Sequence, residues 1–259
     1  MFTLQELKTT DKIIVAGHRG YSGRFPENSL LAFREAAEAG CDMIELDVTL
    51  SKDGVPVISH DDCLERVSDG SGMIADHTCE ELKEFDFGIR HGEAFRGIRI
   101  PTFRESLELF RKYPRVLLDI DFKISPQIGR TLETVQKLIR EFHMQDRCIY
   151  NSCDGDIVSL LAGQGHIVVG APHSFAEKVH YSEETYQDLW CVCIPLEELT
   201  PESAHSYLAE GKVVAAVSPD TPRQVRYALH CGARLLIADD PRCAVAAANI
   251  LNGENKSAV

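Results

Sequence analysis

Two histidines, each closing an apolar, β-branched run, frame the chemistry this chain could perform. They are His18 in Gly17-His18-Arg19-Gly20 and His60 in Ile58-Ser59-His60-Asp61. Between them Glu45 and Asp47 stand at strand spacing in Ile44-Glu45-Leu46-Asp47, and Leu117-Leu118-Asp119-Ile120-Asp121-Phe122-Lys123 repeats the alternation. Successive strand residues point to opposite faces, so Glu45 and Asp47 share one face while Ile44, Leu46 and Val48 share the other. Asp119, Asp121 and Lys123 likewise oppose Leu118, Ile120 and Phe122. Carboxylates turned inward from two strands are costly to bury unless a cation compensates them. A divalent ion held by Glu45, Asp47 and Asp121 would do so, and an all-oxygen ligand set favours Mg2+ or Ca2+ over zinc. Two imidazoles beside such an ion suit attack at phosphorus: one takes a proton from the attacking hydroxyl, the other gives one to the leaving oxygen. Arg19 offers a planar fork for phosphate oxygens and Lys123 a point charge. Pro26-Glu27-Asn28 reads as a helix start whose N–H groups would add to the same anion site.

These residues need a frame that delivers strand ends to one place. Short apolar runs alternate with helical-period segments along the whole chain, with strands predicted at 13–16, 43–49, 115–121, 147–152, 166–170, 189–194, 212–217 and 234–238. Val55-Pro56-Val57-Ile58 follows the second strand across the turn signal Lys52-Asp53-Gly54 and reads as its hairpin partner. Eight strand–helix units in a chain of this length match a (β/α)8 TIM barrel, with the strands parallel and the inward-facing residues near the C-terminal mouth. The rhythm breaks between about 62 and 99, which predicts an insertion within a single domain spanning 1–259. Neither a dinucleotide-binding glycine pattern nor a P-loop is present.

Composition narrows the partners. The 259 residues carry 40 acidic against 27 basic side chains, a net charge of −13, which argues against nucleic acid and anionic membranes as partners. A small anionic substrate remains compatible, because an ion and a few basic groups outweigh a distant field. Nine cysteines without paired spacing read as reduced thiols. The first residues lack a basic and apolar leader, and no apolar run approaches the roughly 18 residues of a membrane span, so a cytoplasmic chain is expected. The remaining histidines, His173 among them, stand in no comparable context and read as structural.

The motifs His18-Arg19-Gly20, Pro26-Glu27-Asn28-Ser29, Glu45-Leu46-Asp47, His60-Asp61 and Ile100-Pro101-Thr102 resemble those of the glycerophosphodiester phosphodiesterase family. The resemblance runs nearly end to end, through Gly72, Leu82, Asp86 and Gly88 to the closing Asp239-Asp240-Pro241. It implies a TIM barrel with a small subdomain inserted after the second strand, and divalent-cation-assisted hydrolysis of glycerophosphodiesters to sn-glycerol 3-phosphate and an alcohol. It also implies that His18 and His60 are catalytic, that Arg19 and Lys123 bind substrate, and that Glu45 and Asp47 hold the ion. The substrate's own glycerol hydroxyl would attack first, giving a cyclic phosphate that water opens.

Two positions depart from the family pattern. Asp121 stands where a glutamate is usual, one methylene shorter, and Ala216-Val217-Ser218-Pro219-Asp220 replaces a tryptophan-containing run at the end of the seventh strand. Two other readings therefore stay open. Phe85, Phe87 and Phe95 as an exposed apolar rim would favour a lysophospholipase D, and a catalytically idle barrel would bind phosphodiesters without turning them over.

Overall fold

The computed structural model describes residues 3–171 and 180–253; His173 lies outside them. Parallel strands close into a barrel in the order expected from the alternating pattern. β1 (Ile14–Gly17), β2 (Met43–Leu50), β4 (Leu117–Phe122), β5 (Cys148–Ser152), β6 (Val168–Gly170), β7 (Cys191–Pro195), β8 (Val213–Val217) and β9 (Leu235–Ala238) form the ring, and β1 pairs with both β2 and β9. The extra strand, β3 (Pro56–Ile58), runs antiparallel to β2 with Val48 opposite Ile58, so the hairpin reading holds.

Strand periodicity divides the apolar residues into two shells. Ile44, Leu46, Val48, Leu118, Ile120 and Phe122 pack outward against the surrounding helices, in the larger core. Ile14, Ala16, Met43, Leu117, Val169, Cys191, Ala215 and Leu235 fill the barrel interior, and Leu7 of α1 (Leu4–Thr9) packs onto them. The interior is thus apolar toward the strand starts, which forces the inward carboxylates of β2 and β4 to the strand ends.

α2 (Leu30–Glu38) follows β1, but it begins later than the sequence predicts. Ser29 caps it, accepting the Ala32 N–H at 3.1 Å while its hydroxyl donates to the Pro26 carbonyl at 2.6 Å. A serine with a free side-chain acceptor outcompetes proline as the start signal here. Glu27 and Asn28 therefore lie in a turn before the helix, and their N–H groups are not a helix terminus.

Between β3 and α4 (Phe103–Phe110) the chain forms short helical turns and α3 (Cys79–Leu82), held around Val57, Leu64, Ile74, Leu82 and Ile100, apart from the barrel cores. Asp86 organises this segment by accepting the backbone N–H groups of Gly88, Ile89 and Gly97 at 2.9, 3.1 and 2.7 Å. Gly88 is required sterically, since a Cβ there would fall 1.8 Å from the Phe95 carbonyl oxygen. Helices α5 (Ile128–Glu141), α6 (Gly155–Gly163), α7 (Glu183–Asp188), α8 (Pro201–Ala209) and α9 (Pro222–His230) separate the later strands, and α10 (Arg242–Leu251) follows β9.

Candidate active site

Closure of the barrel sets the first histidine. Gly17 and Ala238 are partners in register, so His18 and Asp239 leave the barrel side by side. His18 Nδ1 lies 2.7 Å from Asp239 Oδ1, which also accepts from the Ser22 hydroxyl at 2.9 Å. Burial alone would raise the Asp239 carboxyl, but its hydrogen bond to His18 and the charge of that ring hold it down at about 2. Burial also works against the His18 proton, yet the Asp239 hydrogen bond and the Glu45 carboxylate outweigh it and raise the imidazole above its ordinary value. A ring with Nδ1 committed to a carboxylate keeps Nε2 for chemistry.

Arg19 follows in left-handed backbone, φ 53°, which turns its N–H onto Glu45 Oε2 at 2.7 Å. Gly20 continues at φ 81°, and a Cβ there would meet the Ala32 backbone 2.6 Å away, so this turn packs directly on α2. Asn28, also left-handed at φ 56°, accepts the Asp47 N–H and donates its side-chain amide to Asp47 Oδ2 at 2.6 Å. The role of Asn28 is thus to hold a carboxylate.

The strand register then brings the acids together. Glu45 lies opposite Asp119 and Asp47 opposite Asp121, and Glu45, Asp47 and Asp121 each place one oxygen within 4.8 Å of the others. Lys123 Nζ lies 2.5 Å from both Asp47 Oδ1 and Asp121 Oδ2, and Arg19 Nε lies 3.6 Å from Asp47 Oδ2. These two cations hold Asp47 well below the carboxylate range against its burial. They do not suffice for its neighbours: burial and the Asp47 charge raise both Glu45 and Asp121. Three hard oxygen donors converging in a site short of positive charge fit a divalent ion, and the shorter side chain at 121 still reaches the group. Asp119 does not join it. Fully buried, with no well-formed hydrogen bond on either oxygen, it is pushed far upward by burial and by Asp121.

His60 leaves β3 and faces this group from the other side. Its Nδ1 lies 2.6 Å from Asp61 Oδ1, and Arg66 binds the other Asp61 oxygen. Burial, then the Lys123 ammonium, lower the His60 imidazole below its ordinary value, with Asp47 opposing. The two rings are therefore pushed in opposite directions, one toward holding a proton and one toward releasing it.

All seven residues singled out in the sequence, His18, Arg19, Glu45, Asp47, His60, Asp121 and Lys123, line one cleft. Asn151, Cys153, Ala171, Cys193, Pro195, Val217 and Ile237 form its far wall, and no described residue lining it is aromatic. Phe85 and Phe87 do not form an exposed rim: both are half-buried against the small core of the segment before α4. Phe95 packs edge-on against Phe25, ring centroids 6.0 Å apart, and against His91 at 5.1 Å. A second group, Asp154, Asp156 and His180, is mostly exposed, and Asp154 Oδ1 already accepts the Asp156 N–H.

A sequence profile of the glycerophosphoryl diester phosphodiesterase family matches residues 18–241. The chain belongs to that family. It is 40% identical over 148 residues to a glycerophosphodiester phosphodiesterase of Caldanaerobacter subterraneus, covering 54% of this chain and 58% of that one. The chain thus spans little more than half the length of the first curated relatives it matches. A glycerophosphodiester phosphodiesterase of Bacillus altitudinis is 29% identical over 244 residues, covering 89% and 96%. Among solved structures, a phosphodiesterase of Oleispira antarctica in complex with the product sn-glycerol-3-phosphate superposes with a TM-score of 0.81. It is 25% identical, with 93% and 98% of the two chains covered. Members share the barrel seen here, and among the described residues no helix is long and apolar enough to cross a membrane.

Four further residues lie against the seven: Asp239 and Asp61 had no role in the sequence reading, and Glu27 and Asn28 were read only as the N–H groups of a helix start. Asp239 and Asp61 each hold a histidine, Asn28 holds Asp47, and Glu27 accepts from Arg19 Nη1 at 3.0 Å. Adjacency in the chain was signal enough for Asp61. For Asp239 the signal was barrel closure, which makes the ends of the first and last strands neighbours.

Proposed function

We propose that this chain hydrolyses glycerophosphodiesters to sn-glycerol 3-phosphate and an alcohol, with His60 as general base and His18 as general acid. The observation that carries the reading is the pair of carboxylate-held imidazoles, oppositely shifted, flanking three converging carboxylates in one cleft. The product complex of the Oleispira relative supports the substrate class. Glu45, Asp47 and Asp121 would hold one Mg2+ or Ca2+, which would supply positive charge to phosphate oxygens and acidity to an adjacent hydroxyl. Arg19 clamps phosphate oxygens with its planar fork, and Lys123 adds charge beside Asp47 and Asp121. His60, largely neutral near pH 7, takes the proton of the attacking glycerol hydroxyl. His18, shifted toward its protonated form, delivers its proton to the departing alcohol oxygen, and water then opens the cyclic phosphate with the two rings in exchanged roles, while Asp61 and Asp239 keep each ring in register. Nine cysteines without a disulfide among them suit a reducing compartment, and we place the chain in the cytoplasm.

The test is release of glycerol 3-phosphate from a panel of glycerophosphodiesters with Mg2+, Ca2+ or chelator. Release that depends on the ion supports the reading. Activity confined to lysophospholipids would move the assignment to a lysophospholipase D, and binding of the panel without turnover would identify an idle barrel.

Glu45 carries a separate expectation. Its carboxyl is raised in the cation-free protein, so an incoming ion must displace a proton. Affinity for Mg2+ or Ca2+ should therefore rise with pH as Glu45 ionises. Calorimetric titration at pH 6 and pH 8 should give the tighter binding, with less proton release, at pH 8. Equal affinities at both would show that Glu45 is already ionised at pH 6 and that no proton has to leave it.

A further inference from the structure

The segment between β3 and α4 does more than flank the cleft. Arg66 lies on it, just past Leu64, which is fully buried in the segment's own small core and accepts the Ser68 N–H at 2.9 Å. The position of Arg66 is thereby fixed by packing that is independent of the barrel core. Its guanidinium makes three charge-assisted hydrogen bonds. Nε donates to Asp61 Oδ2, while Nη1 and Nη2 donate to Glu27 Oε2 and Oε1 at 2.7 and 2.8 Å. The inner oxygens of those carboxylates serve the cleft: Asp61 Oδ1 meets His60 Nδ1 at 2.6 Å, and Glu27 Oε1 also accepts from Arg19 Nη1 at 3.0 Å.

We propose that Arg66 is a positioning residue: its planar fork locks together the two carboxylates that aim His60 and Arg19, so that the proton acceptor and the phosphate clamp are set by one side chain. This rests on the roles given to His60 and Arg19 under the proposed function. The geometry gives it a physical basis. A carboxylate bonded on both sides cannot rotate without breaking a charged contact, so Asp61 presents a fixed acceptor to the imidazole and Glu27 a fixed acceptor to Arg19. Asp61 is held down at about 2, with the Arg66 hydrogen bond as the largest cause, so it remains an ionised acceptor and His60 carries its proton on Nδ1. Lysine at 66 would supply charge but not a fork reaching two carboxylates at once.

The experiment compares the parent with Arg66→Gln in Mg2+-saturated protein. Turnover is measured on the best diester of the panel, melting temperature serves as a control, and 15N spectra of the histidine rings are assigned with His60→Gln. The variant should lose roughly tenfold to a hundredfold in kcat, the range for groups that orient others. Its melting temperature should be little changed, and the single Nδ1–H form of His60 should give way to a mixture of tautomers. Parental kcat in the variant, or an unchanged His60 spectrum, overturns the proposal. If the parent turns over no diester, the proposed function fails and the ring spectrum alone decides Arg66. Should Arg66→Gln unfold, Arg66→Lys replaces it, with the same losses in smaller measure expected and the same two results overturning the proposal.

Discussion

His18→Ala and His60→Ala are each expected to lower kcat by roughly a hundredfold or more on diesters of ordinary alcohols, the usual range for acid–base groups. The structure makes the two losses distinguishable. Asp239 and Glu45 favour the protonated His18 ring, so His18 is suited to protonate a departing alkoxide. A leaving group such as p-nitrophenolate departs without that help, so most of the His18→Ala loss should disappear on a p-nitrophenyl diester. The His60→Ala loss should persist on both, because removing the proton from the attacking hydroxyl is needed whatever departs. Rates on the two substrate types with parent and variants check this. The opposite pattern would exchange the roles, and near-parental rates in either variant would end its part in the mechanism.

Exhaustive chelation is expected to abolish activity, and Mg2+ or Ca2+ to restore it. Without the ion the carboxyl groups of Glu45, Asp47 and Asp121 offer a phosphodiester no positive charge, and Lys123 is itself engaged by Asp47 and Asp121. Lewis-acid stabilisation at phosphorus is worth several kcal/mol, so at least a hundredfold loss follows. Melting temperatures with and without chelator separate this from unfolding. Full turnover by demonstrably ion-free protein would take the cation out of the reaction.

Much of this was legible in the chain because strand periodicity is local. The alternation that turns Glu45 and Asp47 inward also turns Ile44, Leu46 and Val48 onto the helices, and the structure bears out both. The same rule placed Asp121 and Asp119 on one face but could not separate them. Their difference is depth: Asp121 reaches Glu45 and Asp47, whereas Asp119 lies lower and fully buried, its carboxyl pushed well upward. Asn28 was misread because Pro26 is a plausible helix start, while the left-handed backbone that aims its amide at Asp47 leaves no periodic trace. Contacts of long sequence separation, such as Arg66 with Glu27, depend on where a loop with its own small core comes to rest.

The hydrogen bond between His18 and Asp239 straddles the seam where the barrel's first and last strands meet, 221 residues apart. A ribosome has delivered both imidazoles and the whole acidic cluster by residue 123, yet His18 has no carboxylate partner on Nδ1 until β9 has emerged and docked beside β1. A chain cut before Asp239 therefore carries the His18 ring without the carboxylate that aims it, and the pair is complete only once the two ends of the barrel meet.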